Sequence, residues 1–323
     1  WEDNMPPRHL GTSNISISPL VMGTWQAGRQ MWADIDDNAS VRAIRAAIDA
    51  GITTIDTASV YGDGHSERMV ARAVGADRSR VVIATKVFAN EMKFDQVTTA
   101  CERSLANLAT DYIDLYQIHW PSGAFGSDKV PIEETMQALV RLKEQGKIRA
   151  IGVSNFSGAQ LAEAMQYGEI VSLQPPYSLF WRQVEQDARP LCLERGLTLL
   201  AYSPMAQGLL TGKFGPEHRF QKGDHRARNR LFQPDNLKRA QTALAQLQPI
   251  AERYDATLGQ LALAWVMAQP NTCAIAGARN AEQALQNAAA VDLALAPEDL
   301  AAMDRIGRQV TDHLDDDPVM WNW

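Results

Sequence analysis

The chain has 323 residues, 46% of them hydrophobic, and a formal net charge of −7. That supports a large core and argues against a nucleic-acid protein, which would present a basic face. Cys101, Cys192 and Cys273 are too few and too scattered for a disulfide framework or a zinc cluster, and fit packing roles in a reducing compartment.

No run approaches ~18 consecutive apolar residues, so no membrane contact is expected. No basic-then-apolar segment opens the chain, so the expected location is cytoplasmic. The four residues before Met5 read as a leftover from expression.

In chain order, residues 8–16 predict a small hairpin that plugs the bottom of a barrel. Short apolar runs at 19–22, 53–56, 81–86, 113–118, 148–153, 170–174, 197–202 and 273–277 predict strands, with amphipathic helical patterns between them. The helix at 38–50 sets Val41, Ile44 and Ile48 on one face and stops at Gly51. Helices follow at 66–74 (Ser66 as N-cap), 95–108, 131–145 (Pro131 in the first turn, Gly146 past the end) and 157–167. Strand–helix alternation implies parallel pairing with right-handed crossovers. Eight such units close into a (β/α)8 barrel, where an open doubly wound sheet would use fewer strands. One domain over 1–323 is the economical reading. Residues 205–235 form a long insertion without clear period, which marks a functional loop. The acidic, aromatic tail after about 310 either folds over the barrel mouth or stays flexible.

Four polar residues stand at or just beyond the ends of three successive strands: Asp56, Tyr61, Lys86 and His119. Barrel chemistry gathers at the carboxyl ends of the strands. There an ammonium (Lys86) stabilises a phenolate and lowers the Tyr61 pKa, while a carboxylate (Asp56) keeps the lysine charged. An imidazole (His119) donates to a substrate oxygen as negative charge develops. The set suits protonation of an alkoxide as hydride reaches a carbonyl carbon. Individually, Asp56 could cap a turn, Tyr61 decorate a loop, Lys86 be solvated and His119 sit satisfied in the barrel. Their shared position at one end argues for the joint role. Reading Asp56 and His119 as metal ligands is weak, because a metal site needs three or more ligands and Lys86 would compete; no metal is expected.

Four stretches carry a resemblance: Asp-Thr-Ala-Ser-Val-Tyr-Gly-Asp-Gly-His-Ser-Glu (56–67), Thr-Lys (85–86), Asp-Tyr-Ile-Asp-Leu-Tyr-Gln-Ile-His-Trp-Pro (111–121) and Lys-Ile-Arg-Ala-Ile-Gly-Val-Ser-Asn-Phe (147–156). Together they resemble the aldo-keto reductase superfamily, with motifs in order from about residue 9 to 292. The resemblance implies a (β/α)8 barrel that binds NADP(H) across its mouth and reduces aldehydes or ketones, small-molecule carbonyl substrates. It implies a tetrad of Asp56, Tyr61, Lys86 and His119, with Tyr61 the general acid. It implies cofactor contacts at Gly23, Thr24, Trp25 and Asp56. Ser154, Asn155 and Gln174 would meet the carboxamide, and Tyr202 would stack on the nicotinamide ring. Ser203, Pro204, Met205, Gln207, Gly208, Lys213 and Arg226 would follow the pyrophosphate. After the last strand, Gly277 would lie against the cofactor, Arg279 near a ribose 2′-phosphate, and Gln283 with Asn287 near the adenine. Ala276 and Gln286 depart from the family pattern, where proline and an acid are common.

The segment with Lys213, Arg219, Lys222, Arg226, Arg228 and Arg230 is locally basic, which also suits a plain solvated loop. The Gly62-x-Gly64 pattern is not a dinucleotide loop, since Glu67 holds the third glycine's place. Substrate choice falls to Trp25, Met31, Trp32, Phe88, Trp120, Phe125, the 205–235 insertion and the aromatics Trp321 and Trp323. The alternative is a cofactor-binding regulatory subunit with little turnover, as in the potassium-channel β-subunits that share this barrel.

Overall fold

The computed structural model describes residues 7–29, 32, 34–215, 217–221 and 224–320. Met31, Lys222, Trp321, Trp323 and the segment before Met5 lie outside the described residues. Two short strands, β1 (Arg8–His9) and β2 (Ser16–Ile17), pair antiparallel as the predicted hairpin. Eight parallel strands then close a barrel: β3 (Leu20–Gly23), β4 (Thr54–Asp56), β5 (Val82–Val87), β6 (Ile113–Ile118), β7 (Ile148–Ser154), β8 (Ser172–Gln174), β9 (Thr198–Ala201) and β10 (Thr272–Gly277). The last strand returns to pair with β3, Gly277 opposite Gly23. The fold is the predicted (β/α)8 barrel, with strand limits displaced by one or two residues.

Because side chains alternate along a strand, each barrel strand sends one set inward. Val21, Ala84, Leu115, Ala150, Leu200, Cys273 and Ile275 form that inner cluster, and Leu10 and Ile17 of the hairpin complete it from below. The plug needs glycine at Gly11: with φ of +55°, a Cβ there would lie 2.1 Å from the Val171 carbonyl oxygen. Arg8 fastens the hairpin by donating to the carbonyls of Thr272 and Met267.

The outward set meets the helices. In α1 (Asp37–Asp49), Ala43, Ile44, Ala47 and Ile48 bury one face, the Asp36 carboxylate caps the first turn, and Gly51 follows the end at φ +91°. The helix α2 (His65–Val74) corrects the sequence reading. Its N-cap is Gly64, and the Ser66 hydroxyl instead donates to the Thr24 carbonyl at 2.8 Å. Ser66 lies between Thr24 and Thr57, the residues that follow β3 and β4, and its buried bonds to both outweigh capping. The next helices are α3 (Phe94–Leu108), α4 (Ile132–Glu144) and α5 (Gly158–Ala164), the last with a capping box between Ser157 and Gln160. They are followed by α6 (Ala188–Glu194), α7 (Pro234–Arg253), α8 (Leu258–Met267), α9 (Ala281–Ala288) and α10 (Pro297–Thr311). Among the described residues, no helix is long and apolar enough to cross a membrane.

The insertion after β9 is built of short 3-10 turns around Phe214, Phe220 and Phe232, whose rings meet at 4.9–5.4 Å. The tail after α10 docks on the mouth loops. Trp181 Nε1 donates to the Pro318 carbonyl, the Arg230 amide donates to that of Met320, and the Arg230 guanidinium holds the carbonyls of Asp317 and Val319.

Candidate active site

The carboxyl ends of β4, β5, β6 and β8 bring the polar centre together. Lys86 is fully buried and donates to Asp56 Oδ2 and to the Thr57 carbonyl, both at 2.7 Å. The second carboxylate oxygen, Oδ1, accepts from Gln174 Nε2 at 2.8 Å and more weakly from Gln117 Nε2 at 3.4 Å. Burial pulls the Lys86 ammonium below its ordinary pKa, opposed by the charges of Asp56 and Glu67.

Tyr61 stands on the turn between β4 and α2. That turn closes tightly against the loop after β3: Gly62, at φ +66°, sits so near that a Cβ would lie 2.2 Å from the Gly28 carbonyl oxygen. The glycines of 62–64 therefore serve the turn that carries the tyrosine. The Lys86 ammonium is 5.3 Å from the Tyr61 ring centre, and the His119 ring crosses it edge-on at 5.8 Å. Trp25 lies 6.4 Å away on another side.

Burial first, then the charge of Asp56 and the neighbouring Tyr202, hold the phenol well above its ordinary pKa. The expected lowering by Lys86 is therefore absent in the resting protein, where desolvation of the phenolate dominates. Burial and the nearby Lys86 charge keep the His119 imidazole well below its usual pKa. It is neutral at neutral pH, and among the described residues its buried Nδ1 has no hydrogen-bond partner.

The residues expected to meet a carboxamide adjoin this centre, Gln174 through Asp56 and Asn155 through the His119 carbonyl. Asn155, in the left-handed conformation at φ +61°, donates to the His119 carbonyl and Ser154 Oγ, and accepts from the Tyr202 hydroxyl at 2.8 Å. Ser154 donates to the Gln174 carbonyl at 2.7 Å. Thr24 ties β3 to the Asp56 carbonyl. Beyond Tyr202, Ser203 and Gln207 have φ of +53° and +56°, Pro204 is buried, and Met205 packs on the core. Gly208 continues the positive-φ stretch, and Gln207 accepts from the buried Asn229 at 3.1 Å.

Farther along the mouth, three cations meet. The guanidinium carbons of Arg226 and Arg279 lie 5.7 and 5.1 Å from the Trp32 ring centre. Burial and the charges of these two arginines lower the Lys213 pKa. Arg226 is paired with Asp224 at 2.6 Å. Gln283 and Asn287 turn their amides to the Arg279 amide and the Gly277 carbonyl, bracing the turn between β10 and α9.

Sequence reasoning missed Gln117, Thr57, Gln26 and the role of Glu67. Gln117 has the inward parity of His119, two residues on, so the alternation itself could have found it. Gln26 lies against Gly277, where a Cβ would be 2.1 Å from its amide nitrogen. Phe88, Phe125 and Trp120 form an aromatic wall beside His119, with neighbouring rings 5.1–5.5 Å apart. Among the described residues, no three His, Cys, Asp or Glu side chains are placed to hold a metal ion.

Residues 19–308 match the model of the Aldo/keto reductase family. The NADH-specific methylglyoxal reductase of Escherichia coli (strain K12) is 35% identical over 316 residues, covering 91% of this chain and 96% of that one. The structure of glycerol dehydrogenase AKR11B4 from Gluconobacter oxydans superposes with a TM-score of 0.87 at 34% identity, over 96% of this chain and 97% of the other. An aldo-keto reductase from Klebsiella pneumoniae, solved in complex with NADPH, gives 0.76 at 31% identity, over 99% and 100%.

Proposed function

The chain belongs to the aldo/keto reductase family, and on that premise we propose that it is an NADPH-dependent reductase of small aldehydes or ketones, with Tyr61 as general acid and residues 1–323 as one domain. The observation that carries the reading is the buried Lys86–Asp56 pair beneath the Tyr61 ring, with His119 crossing its edge.

The residues fit a nicotinamide cofactor. Ser154, Asn155 and Gln174 offer hydroxyl and amide groups to a carboxamide, and Tyr202 offers a ring. Lys213, Arg226 and Arg279 bring three positive charges, partly offset by the Asp224 carboxylate, to a stretch suited to phosphates. When bound, the cofactor supplies a hydride. Everything else is done by side chains. A phenol held well above its ordinary pKa is protonated at neutral pH, so Tyr61 has a proton to give. As the proton leaves, negative charge forms on the phenol oxygen, and the Lys86 ammonium is already in place to meet it. The lysine thus favours the charge of the transition state more than the resting phenol, the difference that lowers a barrier. Asp56 keeps that ammonium charged, and Gln174 and Gln117 hold Asp56. We assign the proton of the neutral His119 to Nε2, because an unpaired buried acceptor at Nδ1 costs less than an unpaired donor with no oxygen in reach; Nε2 then donates to the substrate oxygen. The wall of Phe88, Phe125 and Trp120 favours carbonyl compounds with an apolar or sugar-like flank.

The test is turnover of NADPH and NADH, followed by nicotinamide absorbance, across aldehydes, ketones and sugars. Faster turnover with NADPH supports the reading. Turnover confined to NADH, as the E. coli relative's name would suggest, overturns the cofactor half. Tight cofactor binding with no turnover on any carbonyl favours the regulatory-subunit alternative.

A further inference from the structure

Behind β5, on its outward face, lies a second buried carboxylate. Glu67 of α2 is 0% exposed. Its Oε1 accepts from Thr85 Oγ1 at 2.7 Å, and its Oε2 from Asn107 Nδ2 of α3 at 2.9 Å. Both donors are neutral, and among the described residues no lysine or arginine forms an ion pair with it. Cys101 of α3 and Tyr116 of β6 are buried, and both feel its charge. Arg68 reaches it only through Asn107, whose Oδ1 accepts from the guanidinium at 3.0 Å.

Fully burying a carboxylate is costly unless a positive charge compensates it. A second cation borders it across β5: Thr85, which holds Glu67, precedes Lys86, which faces the mouth and feels the Glu67 charge. A strand sends these two side chains to opposite faces. Glu67 and Asp56 therefore approach the Lys86 strand from its two sides.

We propose that Glu67 is a positioning residue of this site, a second buried counter-charge that keeps Lys86 an ammonium from behind β5. The idea rests on the reading that Lys86 must be charged when Tyr61 gives up its proton. The groups facing Lys86 are Asp56 from β4, Tyr61 from the turn after it, and Gln117 and His119 from β6. Asp56 is the opposing charge among them; Glu67 lies behind β5, and both act on the lysine in the same direction. Glu67 also pins the start of α2 to Thr85, so one residue both steadies the element that follows the Tyr61 turn and acts on the charge of its partner.

The experiment is the pH dependence of kcat for carbonyl reduction by wild type, Glu67→Gln, Glu67→Asp and Lys86→Met. Glutamine keeps the shape and the acceptor for Thr85 but loses the charge and the acceptor for Asn107. The alkaline limb, where Lys86 loses its proton, should move down in Glu67→Gln, by less than the ~1–3 units of an opposite charge in contact. Glu67→Asp, which keeps the charge, should return the limb toward wild type. An unmoved limb in Glu67→Gln overturns the proposal, as does a uniform loss of kcat at all pH values, the sign of a purely structural role. Glu67→Asp behaving as Glu67→Gln overturns it too. Lys86→Met separates the two levels: near wild-type turnover there means the reading of Lys86 itself has failed. Loss of turnover in Lys86→Met with an unmoved Glu67→Gln limb means that only the second counter-charge has.

Discussion

Replacing Lys86 by methionine keeps most of the side-chain volume and removes one charge from the centre of the barrel mouth. Asp56 would then keep only the amide of Gln174 at 2.8 Å and the long contact from Gln117 at 3.4 Å. Breaking a buried ion pair from one side costs ~3–5 kcal/mol, because the remaining charge stays buried without a partner. Two amide donors offset part of that here, so the expected loss for Lys86→Met is about 3 kcal/mol. Asn at position 56 has no charge to strand and can still accept from Gln174. The double variant Asp56→Asn/Lys86→Met should therefore recover most of the stability lost by Lys86→Met. Turnover should not recover, since neither variant has an ammonium to meet the developing phenolate. Urea unfolding of the four proteins, followed by tryptophan fluorescence, measures the coupling directly. A Lys86→Met protein as stable as wild type, or a double variant whose loss is the sum of the two single losses, would refute the charge-pair argument. Recovered turnover in the double variant would refute the catalytic role.

Tyr61→Phe should bind NADPH as wild type does and lose ~10²–10⁴-fold in kcat, the usual share of a general acid; near wild-type turnover with the best substrate removes Tyr61 from that role. Arg279→Ala should weaken NADPH about tenfold and leave NADH unchanged in titration. Charged hydrogen bonds are worth ~1.5–3 kcal/mol, and the exposed, screened position of Arg279 puts its share at the low end; equal losses for both cofactors would contradict the assignment. His119, held below its usual pKa, resists protonation in the folded state. As pH falls below ~6.5 the unfolded chain gains a proton there that the folded chain refuses, so stability drops. His119→Asn should lose less stability than wild type between pH 7 and pH 5, and parallel unfolding curves at the two pH values would show that the imidazole is not desolvated.

What the sequence discloses here depends on whether a residue's role is set by its neighbours in the chain. The strands are readable because apolar runs alternate with helical patterns, and the polar centre because each member sits where such a run stops. Ser66 misleads for the opposite reason: its position suggests a cap, but its acceptor, the Thr24 carbonyl, is 42 residues away. The cluster of Arg226 and Arg279 about Trp32 joins three loops distant in the chain, and no local pattern predicts it. Glu67 stands out in the sequence only as the wrong residue for a glycine-rich loop, because burial cannot be read from a polar letter at the start of a helix. The direction of the Tyr61 pKa likewise turns on how much water the fold removes, which motif spacing does not encode.

The two ends of the described chain lie on opposite faces of the barrel. Arg8 is stitched under the floor to Met267 and Thr272, while Pro318 and Met320 are stitched over the mouth to Trp181 and Arg230. Arg230 follows Asn229, whose amide holds Gln207 in the positive-φ stretch after β9. A label placed beside Arg8 therefore sits on the face away from the polar centre. One placed beside Pro318 pulls on a cord that runs, through three residues, into the loop beside it. The first is a handle for surfaces and resins. The second is a place for a dye that would register movement of that loop, with the floor of the barrel as its fixed reference.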